Sequence, residues 1–494
     1  MFQKPSVTLA GAAISFLLLS GCMAANDQSA VSTVPAAEPE QRQPKFRSAK
    51  SISSVCDVYA KPFTFPGFKA PPGVEVVEMP PPIAQMMAVG ADRPMVETDL
   101  ERVAPGYTLI EPFSEKDSFL IDNERNVVAV FENSSPSMYT EILPNGHRLV
   151  EGYRYSERFS DAGGYTGCLE EYDEHGKLVW QLNLASDEYT AHHDFAILPN
   201  GNILTITWES VTTEQAISQG RDPETVPEDG DFWFDGVIEI DPYNAEIVWE
   251  WSVRHHIIQD FDPAAENYGV VANHPEKWDI NKYVPSFVTG NVSADWAHFN
   301  AIDYNPELDQ IVLSVRGCSE IWVIDHATTT EEAAGPDGDL LWRWGNPIAY
   351  QNGDIRDRQL FQQHDAQWIP NDCPGAGNIL IFNNGLDRGY SSVIEIVPPV
   401  DGNGRYTSYD APIVWQYRAA EPKDFFTRAR GAAQRLPNGN TLITESNEGH
   451  AFEVTPEGEI VWEYFVPHLD ARGHRATIIR LYRYEPVFVE PLLA

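Results

Sequence analysis

One phrase recurs along the chain and limits what the chain can fold into. It is plainest at His193-Asp194-Phe195-Ala196-Ile197-Leu198-Pro199-Asn200-Gly201-Asn202-Ile203-Leu204, an apolar run that stops at Pro-Asn-Gly and resumes as a second apolar run. Asn and Gly tolerate the positive φ of a tight turn, so the phrase reads as a β-hairpin. It returns from Met138 to Gly146 and from Gly431 to Asn440, and with altered turns at His298–Asn305 and His364–Asn371. Registered on the turn, His193, His298 and His364 share one column, which Met138 and Gly431 fill in the other two copies.

A second phrase alternates with the first. It is an apolar-acidic strand, a turn, and a strand ending near tryptophan. It runs from Leu169 to Trp180, from Val237 to Trp251, from Ile321 to Trp344, from Val393 to Trp415 and from Ala451 to Trp462. Each pair of phrases supplies four short strands, and four-stranded units in series mark a β-propeller. First strands at 138, 193, 298, 364 and 431 give five complete blades. A degenerate pair at 119–131 lacks a first pair of strands, and the stretch 476–482 lacks a second. Together they are expected to close a sixth blade, two strands from each end, which removes exposed sheet edges. The fold class is therefore all-β, a six-bladed propeller over 106–494 with an irregular Pro-rich lead-in at 53–105. The tryptophans are expected to pack between blades. The long interval after the His193 copy holds two insertions, Ser210–Asp231 and His255–Ala294, read as lids over a binding face.

The N-terminus reads as a targeting segment. Lys4 precedes an apolar run from Val7 to Leu19, too short to span a bilayer, which ends in Leu19-Ser20-Gly21-Cys22. That ending resembles a bacterial lipobox, which implies cleavage after residue 21, lipidation of Cys22 and attachment to a membrane on the periplasmic side. Met23 after the cysteine points to the outer membrane. Residues 23–52 read as a flexible tether. The formal charge of −39 excludes a nucleic-acid partner and suits a solvated acidic surface. Cys56, Cys168, Cys318 and Cys373 show no Cys-x-x-Cys spacing, so a zinc knuckle or redox motif is not supported. Their pairing is open.

In a propeller the innermost strands line the central channel, so a column of histidines on them converges on the axis. Three histidines also suit zinc, but no carboxylate or cysteine recurs as a fourth ligand. Asp194 and Asp365 follow two of the histidines directly, which alternation sends to the other face. Arg316 interrupts the apolar second strand Ile311–Gly317 of the His298 blade and offers a fork of donors suited to a tetrahedral oxyanion. No Walker-type loop is present, which argues against nucleotide phosphoryl transfer. His474, opening the closing blade, reads as structural.

Gly106–Ile110, His193-Asp194-Phe195 with its Leu-Pro-Asn-Gly-Asn, Asp295-Trp296-Ala297-His298-Phe299-Asn300-Ala301, Arg316 and Gln363-His364-Asp365-Ala366 together resemble the bacterial arylsulfotransferase family. The resemblance covers roughly Gly106 to Tyr484. It implies a periplasmic six-bladed propeller that moves a sulfuryl group between phenols with no nucleotide donor and no cofactor. By motif, His364 matches the nucleophile that becomes transiently sulfated. His298, His193 and Arg316 match the groups that hold the sulfuryl oxygens and assist proton transfer. Asn300 would bind substrate or orient His298, and His192, beside His193, is a second candidate for substrate contact. A non-catalytic propeller that binds a partner and a metal-dependent hydrolase are the competing readings.

Overall fold

The computed structural model describes residues 95–113, 115–159, 162–227, 230–282, 293–467 and 475–493, with the backbone of 41–42. The targeting segment, Cys22, Cys56, most of the lead-in and His474 lie outside the described residues.

Six four-stranded antiparallel sheets succeed one another along the chain, as a six-bladed propeller requires. The inner strands of blades 1 to 5 are Ser137–Ile142, Tyr189–Ile197, Phe299–Asn305, His364–Trp368 and Ala432–Arg435. Gln41–Arg42 adds a short parallel strand outside blade 1.

The sixth blade departs from the expected two-plus-two closure. Its inner strand alone, Tyr482–Tyr484, comes from the C-terminal end, and Tyr107–Ile110, Asp117–Ile121 and Val127–Glu132 supply the rest. Tyr107 pairs antiparallel with Tyr484. Residues 476–481 form no continuous ladder, because Arg480 turns into the axis. There its guanidinium meets Asp194 in a two-pronged pair at 2.8 and 3.1 Å, and Asp365 at 3.3 Å. A buried guanidinium needs such partners, and meeting them takes this segment out of the sheet.

The two repeated phrases also fasten the blades to one another. Outer-strand indoles donate to a carbonyl or hydroxyl of the next blade: Trp249 to Thr328, Trp342 to Ser408, Trp415 to Pro456 and Trp462 to Asn123. Three third-strand glutamates join an asparagine that opens the second strand of their own blade to a basic side chain on the following one. Glu239 takes Asn202 and His326, Glu395 takes Asn378 and Arg435, and Glu453 takes Asn440 and Arg483. The tryptophans thus do pack between blades, and in three blades the third-strand glutamate is a buried inter-blade clamp.

The two insertions are ordered where described. The first extends the hairpin of Ile203–Thr212 and Asp231–Asp241 and carries the helix Thr213–Ser218, whose Thr212 and Gln215 form a reciprocal cap. The second brings Ile257–Ile258 beside Trp278–Asp279 and stacks Trp278 on Trp296 at 4.0 Å. Cys168, Cys318 and Cys373 are buried free thiols.

Candidate active site

The hairpin phrase places its histidines as the shared register demands, and a recurrent break in the strands aims them. His193 and His298 sit at φ 64° and 55°, and pairing with the second strand shifts register beside them. A left-handed residue in an extended strand costs of order 1–3 kcal/mol, a strain that clusters at functional positions. In blade 4 the left-handed residue is Asp365 (φ 52°) instead, one position after His364.

The rings meet. His193 and His298 lie edge to face at 4.6 Å between centroids. The charges of His364 and Arg316 both act on His193, and those of Arg316 and His298 act on His364. Arg316 is 6% exposed, donates to Gln362 Oε1 at 2.8 Å, and is depressed by burial to about 10. Arg428 adds to its positive field and Asp295 offsets it.

Each imidazole has its own support. His298 Nδ1 is 2.5 Å from Asp295 Oδ2, leaving Nε2 for a substrate oxygen. His193 Nδ1 is 2.7 Å from His192 Nδ1, and the loop at Gly164 packs so closely that a Cβ there would overlap the His193 ring. His364 Nδ1 is 2.7 Å from Asn384 Oδ1, and its Nε2 accepts the Arg430 backbone N–H at 3.1 Å. An amide N–H can only donate, so Nε2 carries the lone pair and Nδ1 the proton. Burial, helped by Arg316, holds His364 well below the usual imidazole range, so it is neutral. Burial does the same to His193, reinforced by its histidine neighbours.

Of the remaining candidates, Asn300 donates to the Gln363 carbonyl at 2.9 Å, which pins the backbone entering His364. It touches His364's strand rather than the His298 ring. His192 is fully buried, stacked on Trp208 at 3.8 Å, with Nε2 3.5 Å from Asp235 Oδ1. Its place is behind His193, away from the channel. Asp194 and Asp365 do point away from the histidines, toward Arg480. Among the described residues no group of three His, Cys, Asp or Glu is arranged to hold a metal ion.

Reading by sequence did not pick out Asn384, Arg428 or Arg430, nor the role of Asp295. Asn384 had a signal. Like Arg316 before Gly317, it directly follows the second strand of its blade and precedes a glycine. Arg428 and Arg430 lie in a loop before the fifth inner strand, where no repeat marks them.

A six-bladed propeller thus brings imidazoles from successive inner strands together with a buried guanidinium. The sequence model of the Arylsulfotransferase (ASST) family matches residues 95–463, and the chain belongs to that family. No curated protein matches the chain. Solved structures with some likeness include a protein of unknown function from Bacteroides caccae (12% identity, 76% of this chain and 98% of that chain, TM-score 0.42). Another is the periplasmic gluconolactonase PpgL of Pseudomonas aeruginosa (12% identity, 77% and 92%, TM-score 0.37).

Proposed function

We propose that the chain transfers a sulfuryl group from an aryl sulfate to a phenolic acceptor by a two-step displacement through His364. The observation that carries this reading is the Nδ1-protonated, neutral His364 beside Arg316, His298 and His193. A neutral imidazole with its lone pair on Nε2 is a competent nucleophile.

In the first step Nε2 attacks sulfur, the N–S bond forms and the S–O(aryl) bond breaks. The electron pair leaves on the phenol oxygen, which takes a proton from His298. Asp295 stabilises His298 while it carries that proton. As Nε2 turns to sulfur it releases the Arg430 N–H, which becomes a donor for a sulfuryl oxygen beside Arg316 and His193. Nδ1–H stays on Asn384, so the sulfated ring keeps its orientation. In the second step His298 takes the proton of an incoming phenol, whose oxygen displaces His364 from sulfur. Asn300 and His192 act indirectly in this scheme, Asn300 by fixing the approach to His364 and His192 by orienting His193.

The reading includes a periplasmic location, with lipid on Cys22 holding the propeller at the outer membrane. Cys22→Ser should release the protein from the membrane fraction, and unchanged partition would contradict the anchor. The test of turnover is 4-nitrophenyl sulfate with phenol. Yellow 4-nitrophenolate release that requires acceptor supports transfer. Release without acceptor would mean hydrolysis, and no release by the folded protein would favour a binding role.

A further inference from the structure

We infer that the aryl substrates carry a second anionic group on the ring, and that Arg430 recognises it. This rests on the sulfuryl-transfer reading of the same channel.

The loop from Thr427 to Gly431 is built to hold one side chain. Asn447 Oδ1 accepts from Thr427 Oγ1 and from the backbone N–H groups of Arg428 and Ala429 at 2.9 to 3.1 Å. Asn384 Nδ2 donates to the carbonyls of Thr427 and Arg430 at 3.0 and 2.7 Å. Arg430 itself is left-handed, at φ 63°, a conformation disfavoured for arginine that the surrounding hydrogen bonds impose. The turn places its N–H on His364 Nε2 and sends its side chain toward blade 6.

There the guanidinium lies 4.3 Å over the ring of Phe113, in the connection between Tyr107–Ile110 and Asp117–Ile121 of blade 6. Burial lowers its pKa, and Tyr153 of blade 1 acts on its charge in the opposite direction. No carboxylate among the described residues pairs with it, in a protein whose formal charge is −39. By contrast the recessed guanidiniums of Arg343, Arg435, Arg480 and Arg483 are ion-paired, and those of Arg148 and Arg221 donate to Asn133 Oδ1 and to the carbonyls of Ile280 and Thr225. A recessed cation held over an aromatic face, without a carboxylate, costs stability that an incoming anion repays.

The sulfuryl group does not suffice as that anion, since its oxygens face Arg316, His193 and the Arg430 N–H. The Arg430 side chain springs from the residue whose N–H touches His364 Nε2, and its charge acts on that ring. A carboxylate or sulfonate on the aryl ring, remote from the sulfated oxygen, meets the guanidinium with two parallel hydrogen bonds.

The test is calorimetric binding of phenol and of 4-hydroxybenzoate to the full protein, alongside Arg430→Gly and Arg430→Lys. Glycine accepts the left-handed backbone, so Arg430→Gly keeps the turn. Wild type should bind 4-hydroxybenzoate about 10-fold or more tighter than phenol, the effect of one charge-assisted pair. The preference should vanish in Arg430→Gly and largely persist in Arg430→Lys. Equal affinities in wild type, or a preference that survives in Arg430→Gly, would overturn the inference. Binding is read without turnover. Inactivity toward 4-nitrophenyl sulfate with this preference intact would therefore fault only the transfer, and turnover without the preference would fault only the inference.

Discussion

His364 Nδ1 and Asn384 Oδ1 lie 2.7 Å apart, and this contact decides which nitrogen of the imidazole can react. Asn384 cannot flip its amide, because its Nδ2 already donates to two carbonyls. Its oxygen therefore faces His364 and holds the proton on Nδ1. Asn384→Leu removes that acceptor and lets the ring turn or change tautomer. The kcat of transfer should fall about 10- to 100-fold, the cost of one buried hydrogen bond, with KM little changed. An unaltered kcat would remove Asn384 from the positioning of His364.

Acid should inactivate the enzyme only at pH values well below 6.5. The reacting form of His364 is the free base, and its native pKa is depressed by burial and then by Arg316. The base thus survives from neutral pH down to that depressed value. The acid limb of kcat/KM, measured on free enzyme, reports it. Arg316→Gln removes a positive neighbour, so besides slowing transfer it should move that limb to higher pH. A limb that stays in place would show that Arg316 does not act on the nucleophile's charge.

Blade 5 contains a stability switch of opposite sign. His450 is 5% exposed and lies between Glu445 and Glu463, at 2.7 and 2.9 Å. Burial opposes its charge, but the hydrogen bonds it donates to the two carboxylates win and raise its pKa. A raised imidazole stabilises fully below the unfolded value of about 6.5, and the contribution is lost as pH rises through the higher native value. The Tm difference between wild type and His450→Gln should be largest below pH 6 and shrink above neutrality. A difference independent of pH would mean that the imidazole is neutral in the native state.

Ring closure depends on Arg483. It joins the C-terminal inner strand to Glu453 of blade 5 at 3.2 Å and to Thr108 and Ala104 of the incoming chain at 2.6 and 2.7 Å. Arg483→Ala leaves Glu453 buried without that partner, so unfolding should become easier by about 3–5 kcal/mol. Urea unfolding measures this, and a loss under 1 kcal/mol would mean the strand ladder and apolar packing hold the two ends without it.

Much of this was legible because the repeat carries its own ruler. In every copy the turn asparagine stands seven residues after the channel position, as His193 and Asn200 or His364 and Asn371 show. That spacing located five inner strands and three histidines before any coordinates. Closure was less legible. Tyr107–Ile110 is apolar enough to be a second strand, but Arg480 leaves the sheet only because Asp194 and Asp365 wait on the axis, a tertiary fact. Arg430 was invisible for a similar reason. Its position follows from a left-handed turn tied down by Asn384 and Asn447, which lie on other strands and in other loops.

The central claim is that His364 itself carries the sulfuryl group between donor and acceptor. Protein mixed with 4-nitrophenyl sulfate in the absence of acceptor, quenched at alkaline pH and digested, should yield one peptide heavier by SO3. Fragmentation should place the addition on His364, and phenol added before the quench should remove it. Acceptor-dependent turnover with no adduct on His364, or an adduct of equal yield in His364→Asn, would contradict the claim.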